Sequence, residues 1–166
     1  GTSVLSGKAG TGKSIVLIHM MYTLMSAMNV TYNDEDLTPD EQLELGVRIS
    51  LSNKIRGYVK RHGNLKIAFV VPMTSIRKTF KAVFSASKGT GLKSNMVMGP
   101  QDVLKEDYDI VFVDESHRLA RRKGITSYGS FDEACARLGL DPMVSTQLDM
   151  IQKKSKYSVL VYDGCQ

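Results

Sequence analysis

The apolar positions of this chain fall into two kinds of run. Short, largely apolar stretches recur at Thr2–Leu5, Leu65–Val71, Asp109–Val113 and Tyr157–Tyr162, each bounded by polar or turn-forming residues. Runs of this length and density read as strands buried on both faces. Between them lie longer segments with helical character. Lys13–Met28 is apolar nearly all round, which predicts a helix covered on several sides. Thr74–Phe84, Phe131–Leu138 and Val144–Lys154 read as further helices, and Asn95–Met98 as a short strand. Buried strands alternating with helices predict an α/β fold: a mainly parallel sheet in a three-layer arrangement, with helices on both faces. Such sheets bind ligands beyond the carboxyl ends of their strands.

One segment interrupts the alternation. Thr38-Pro39-Asp40-Glu41 is a helix start, with Thr38 as cap, Pro39 in the first helical position and Glu41 completing a capping box. Leu43, Val47, Leu51 and Ile55 then recur every four residues. This predicts an amphipathic helix or helix pair running to about Lys60, a helical insertion over residues 33–64 within a single domain spanning 1–166. Ser6–Gly12 and Ser85–Ser94 read as glycine-containing loops.

Chemistry sits where three of the strands end. After the first comes Gly7-Lys8-Ala9-Gly10-Thr11-Gly12-Lys13-Ser14, which fits G-x-x-x-x-G-K-[ST] at every fixed position, between a strand and a helix as the pattern requires. Glycines let the backbone wrap a phosphate with its N–H groups, and the helix that starts here adds its positive end. Lys13 places a charge at the β and γ phosphates, and the Ser14 hydroxyl suits Mg²⁺. After the third strong strand come Asp114 and Glu115. Asp114 is positioned to hold Mg²⁺ through water, and Glu115 to orient or activate an attacking water. The adjoining His117 either links this site to a moving part or caps the turn. After the last strand comes Asp163-Gly164-Cys165-Gln166, where Gln166 is placed to reach a γ phosphate or is an ordinary loop residue.

Composition narrows this reading only a little. Hydrophobic residues make up 42% and charged residues 23%, as in ordinary globular domains. The net charge of +5 permits a nucleic-acid partner without demanding one. Two cysteines without metal-like spacing point to a reduced, cytoplasmic setting. The apolar run from Ile15 to Val30 is too short for a convincing membrane span and is interrupted by His19. Both ends read as cuts through a larger protein.

Together these blocks resemble the first RecA-like domain of a superfamily 1 helicase. The phosphate loop corresponds to motif I, Asp114-Glu115-Ser116-His117 to the D-E-x-H form of motif II, and Asp163-Gly164-Cys165-Gln166 to the D-x-x-Q end of motif III. Phe69-Val70-Val71-Pro72-Met73-Thr74-Ser75-Ile76-Arg77-Lys78-Thr79-Phe80 is similar to motif Ia. The V-P-x-T-S-x-R-K and D-E-x-H-R-L segments are similar to those of bacterial P-loop ATPases related to the Schlafen helicase region. The resemblance implies a RecA-like P-loop NTPase that binds and hydrolyses ATP with Mg²⁺, with Lys13, Glu115 and Gln166 as catalytic residues. It also implies nucleic-acid contacts, to DNA or RNA, at Pro72, Thr74, Ser75, Arg77 and Lys78. On the residues alone, Arg77 and Lys78 read equally as a solvated helix face. The basic stretch Arg118, Arg121, Arg122 and Lys123 is a second candidate. The family's adenine-reading upstream segment and its second RecA-like domain, the expected partner, lie outside this sequence. A P-loop kinase and a nucleotide-gated scaffold with negligible turnover are the alternatives, and the Asp114-Glu115 pair argues against the first.

Overall fold

The computed structural model describes residues 1–8, 10–27 and 38–163, Asp163 by its backbone alone. The four apolar runs, joined by a two-residue fifth, form one sheet. Its strands are β1 (Thr2–Gly7), β2 (Ile67–Val70), β3 (Val97–Met98), β4 (Tyr108–Val113) and β5 (Ser155–Asp163). They lie in the order β1-β5-β4-β2-β3, and every neighbouring pair is parallel. The strand from the end of the sequence is thus inserted between the first strand and the acidic one.

Side-chain alternation along these strands divides the core into two faces. On one face, Phe69, Phe112, Val159 and Val161 meet helix α1 (Lys13–Ser26), through Leu17, Met21 and Met25, and helix α3 (Thr74–Ala86), through Phe84. On the other, Ala68, Val70, Val111, Val113 and Leu160 pack against Val103 and against Ile151 of helix α5 (Gln147–Lys153). Helix α4 (Tyr128–Leu138) backs α5 through Phe131, Ala134, Cys135 and Met150. The result is a three-layer, RecA-like α/β domain. Burial of each large apolar side chain in these layers contributes roughly 1.5–3 kcal/mol.

Four sequence expectations need correction. Strand β1, expected to be buried, is exposed at Thr2, Ser3 and Val4 because it borders the described sheet. Helix α1 is not covered all round: Leu17, Met21 and Met25 are buried, whereas Ile15, Val16, Met20 and Tyr22 are exposed. Strand β1 is an edge of the described sheet, so the helix following it meets sheet on one flank only. The insertion is one continuous helix, α2 (Pro39–His62), with the expected reciprocal Thr38–Glu41 capping box. Its four-residue period nonetheless leaves Leu43 and Val47 exposed, and its buried positions are Ser52 and Ile55. The second half of α2 meets the body of the domain, where the Tyr58 hydroxyl donates to Asp109. Residues 33–37 of that expected insertion lie outside the described residues. Helix α5 starts at Gln147, not Val144, because Thr146 and Asp149 form a capping box that fixes its first turn.

Candidate nucleotide-binding site

With all strands parallel, the loops at their carboxyl ends gather on one edge of the sheet. The loop after β1 turns through Gly10 and Gly12, whose φ angles of 76° and 79° lie in the left-handed region that suits glycine. Gly12 is the N-cap of α1, and no side chain caps that helix. Its first N–H groups are therefore left for a ligand. The Lys13 ammonium donates to the carbonyls of Gly7 (2.9 Å) and Lys8 (2.6 Å), folding over the loop it belongs to. The expected contribution of Ala9 lies outside the described residues.

Strand β5 separates β1 from β4, and at a spacing of roughly 5 Å per strand the loop and the acidic turn start roughly 10 Å apart. The first turn of α1 bridges the gap. Ser14 Oγ lies 2.9 and 2.8 Å from the two carboxylate oxygens of Asp114. Asp114 is 2% exposed, and burial pushes its carboxyl above the usual range, with the Ser14 hydrogen bond opposing. A buried carboxylate raised by desolvation and backed by one hydroxyl is a donor pair that fits a hard divalent cation. Among the described residues no cluster of three His, Cys, Asp or Glu side chains could hold a metal. Two protein oxygens, with phosphates and waters completing the shell, are what Mg²⁺ commonly takes.

Glu115 follows with φ 50° and ψ 45°, the one non-glycine residue in the left-handed region among those described. A short 3-10 turn, Ser116–Arg118, comes next, and Ser116 Oγ donates to the Val161 carbonyl of β5 at 2.7 Å. The Glu115 carboxylate is engaged on one oxygen: Oε2 lies 3.0 Å from Arg118 Nε and 3.1 Å from His117 Nε2. The histidine contact is close but misaligned, since both ring nitrogens are buried without a hydrogen-bond partner among the described residues. The His117 ring meets Tyr162 of β5 edge-on, with centroids 6.0 Å apart. A cleft of about 360 Å³ runs between these parts, lined by Gly10–Ile15, Asp114, Glu115 and Val161. Gln166 lies outside the described residues, as do Gly164 and Cys165.

Residues 2–166 match the family model of the Schlafen group 3 DNA/RNA helicase domain. The chain belongs to that family. No curated protein and no solved structure gives a match. Among the described residues of this Schlafen group 3 domain, no helix is long and apolar enough to cross a membrane.

The residues singled out for nucleic acid separate into two groups in this helicase-family domain. Thr74, Ser75 and Lys78 are exposed on the first turns of α3, beside the half-buried Pro72. Arg77 turns inward. Its guanidinium donates to the carbonyls of Val71 and Pro72, both at 3.0 Å, and lies against Gly99, where a Cβ would come within 2.8–3.0 Å of it. Arg77 thus holds the turn after β2 in place. Gly99 is a packing position that sequence reading missed, and its signal was the Gly99-Pro100 pair following an apolar Met98. Arg122 is likewise committed, to a two-pronged ion pair with Asp132 (2.8 and 2.9 Å) beneath the Tyr128 ring. Arg121 and Lys123 are exposed. The pairing of Arg118 with Glu115 was also missed, although the i,i+3 spacing carries it on a helical turn.

Proposed function

We propose that this domain binds Mg-ATP in the cleft at the carboxyl edge of the sheet and hydrolyses it. In this reading it is the first RecA-like, superfamily 1-type motor domain of a helicase-like protein acting on DNA or RNA. The observation that carries the reading is the Ser14–Asp114 contact. It joins a glycine-turned loop with an ammonium over it to a buried carboxylate beside a second carboxylate, all lining one cleft.

Residues Gly7 to Ser14, Ala9 included, cradle the phosphates, and Lys13 exchanges its loop carbonyls for the β and γ phosphate oxygens. Ser14 and Asp114 hold Mg²⁺, which offsets the phosphate charge when bound. Glu115 orients a water whose oxygen bonds to the γ phosphorus. The bond from that phosphorus to the bridging oxygen breaks, ADP departs with the electron pair, and the water proton passes to the Glu115 carboxylate. Gln166 reports the γ phosphate by resemblance to motif III. A second RecA-like domain supplies a cation to the transferring phosphoryl group, a contribution worth about 10³–10⁵ in rate in related phosphoryl transfers. Pro72, Thr74, Ser75 and Lys78 meet the nucleic-acid backbone, while Arg77 fixes their turn and leaves only part of its fork free for a phosphate.

The test is ATP turnover by the wild type and by Glu115→Gln, with and without single-stranded nucleic acid. The amide keeps the shape and loses the base, so Mg-ATP affinity is retained and turnover falls by about 10²–10⁴. Turnover within about threefold of the wild type, a trivial barrier change, removes Glu115 from the chemistry.

A further inference from the structure

Glu115 is held in its present position by a group the hydrolysis does not use. Its backbone sits in the left-handed region, which a side-chain-bearing residue occupies only when its surroundings fix it. Two contacts do so. The Arg118 backbone N–H donates to the Glu115 carbonyl at 2.8 Å, and the Arg118 guanidinium pairs with Oε2 at 3.0 Å. Arg118 therefore closes the turn twice, once by backbone and once by charge.

We propose that Arg118 is a latch on Glu115, released when a nucleic-acid phosphate takes the guanidinium. This rests on the hydrolytic reading of the cleft and adds to it the regulation of Glu115. The guanidinium occupies Oε2, one of the two carboxylate oxygens that could meet the attacking water. While paired, Glu115 is held in place with that oxygen taken by Arg118. The pair is also easy to exchange. The Arg118 side chain is 43% exposed, and an ion pair so open to water is weak.

A phosphodiester is the natural competitor. Arg118 opens the basic stretch in which Arg121 and Lys123 are exposed, whereas Arg122 is committed to Asp132. A guanidinium accepts phosphate in the same forked geometry as carboxylate. When Arg118 turns to the phosphate, Glu115 keeps its backbone turn and the nearby His117, and its Oε2 is freed to meet the water. Binding at the basic stretch is thereby coupled to turnover without any displacement of the phosphate loop.

The experiment measures ATP turnover in the intact protein, with and without a single-stranded thymidine homopolymer and its uridine counterpart. It compares wild type, Arg118→Ala, Arg118→Lys and Glu115→Gln, with Mg-ATP affinity measured in parallel. Arg118→Ala is expected to raise turnover without nucleic acid by about tenfold, a barrier change of ~1.4 kcal/mol. The stimulation ratio then falls towards one at unchanged Mg-ATP affinity. Arg118→Lys, which keeps the charge, is expected to bring the unstimulated rate back down. Lower or unchanged unstimulated turnover in Arg118→Ala would make Arg118 a strut rather than a latch and overturn the proposal. So would a wild type that neither polymer stimulates. Equal turnover by wild type and Glu115→Gln overturns the hydrolytic reading itself, an outcome distinct from the other two.

Discussion

The two edges of the sheet carry charge in opposite ways. At the amino edge, every acid and base that meets is matched: Lys66 with Glu106 at 2.9 Å, Lys154 with Asp107 at 2.6 Å, and Lys156 with Asp109 at 2.8 Å. Burial pushes the Asp109 carboxyl up, but Lys156, Tyr58 and the Lys66 N–H outweigh it and hold it below the usual range. Lys66, Asp107, Asp109, Lys154 and Lys156 line a cleft of about 510 Å³, larger than the one over the phosphate loop. At the carboxyl edge the matching is incomplete. Asp114 is buried and raised, Glu115 is in the left-handed region, and the His117 nitrogens lack aligned partners. The larger cleft belongs to the edge where these three ion pairs are already formed. The smaller one has polar groups whose needs a ligand would meet. Cavity size is therefore a poorer guide to chemistry than unmet electrostatic demand, since buried polar groups are otherwise paired.

The contrast breaks most directly at Lys13. Lys13→Ala is expected to weaken Mg-ATP binding by about a hundredfold or more, because a charge-assisted hydrogen bond to phosphate is worth up to ~3 kcal/mol. The far-ultraviolet circular dichroism should not change, since Lys13 contacts only loop carbonyls. Equal calorimetric affinity for mutant and parent would remove the phosphate loop from the functional edge.

A smaller effect of opposite sign is expected at Asp114. Its carboxyl is raised in the folded state, so its contribution to stability is full below the unfolded value and is lost as pH rises through the folded one. At neutral pH the ionised, buried carboxylate destabilises the nucleotide-free domain. Asp114→Asn should therefore melt higher than the wild type at neutral pH without Mg-ATP. The gap should narrow as acid protonates Asp114, and the order should reverse when Mg-ATP is added. A melting temperature that falls in the mutant at neutral pH would show that the carboxylate is fully compensated, as at the amino edge.

The smallest effect belongs to the matched edge. Tyr58→Phe removes one of several donors to Asp109 and should cost about 1 kcal/mol of stability in denaturant unfolding, with nucleotide affinity unchanged. A change in Mg-ATP affinity would couple the two edges and undo the comparison.

The parts legible in the sequence were those whose chemistry is local. The inner strands centre on short apolar runs, the phosphate loop places its glycines and lysine at fixed spacing, and Thr38 and Glu41 cap α2 as their separation requires. What escaped depends on how turns and elements pack. Arg77 looked like a free cation because the turn after β2 curls the Val71 and Pro72 carbonyls onto it, and the bare backbone of Gly99 joins them only when β3 pairs with β2. The exposed side of α1 was hidden because an apolar helix carries no record of which strand borders the sheet. The apolar period of α2 overstated its burial for a related reason: periodicity specifies a face, while the tertiary arrangement decides how much of it is covered. The basic stretch read as uniform, yet the fold spends Arg122 on Asp132 and Arg118 on Glu115 and leaves Arg121 exposed.

The insertion of β5 between β1 and β4 has a mechanical consequence. Leu160 is in register with Val4 on one side and with Val113 on the other, so a single rung of the ladder ties the strand that feeds the phosphate loop to the strand that ends in the acids. The same strand receives the Ser116 hydroxyl at Val161 and the edge of the His117 ring at Tyr162. Tension applied along β5 is consequently divided between the glycine-loop side of the cleft and its acidic side. Neither can be pulled without loading the other, and the strand works as a shared axle.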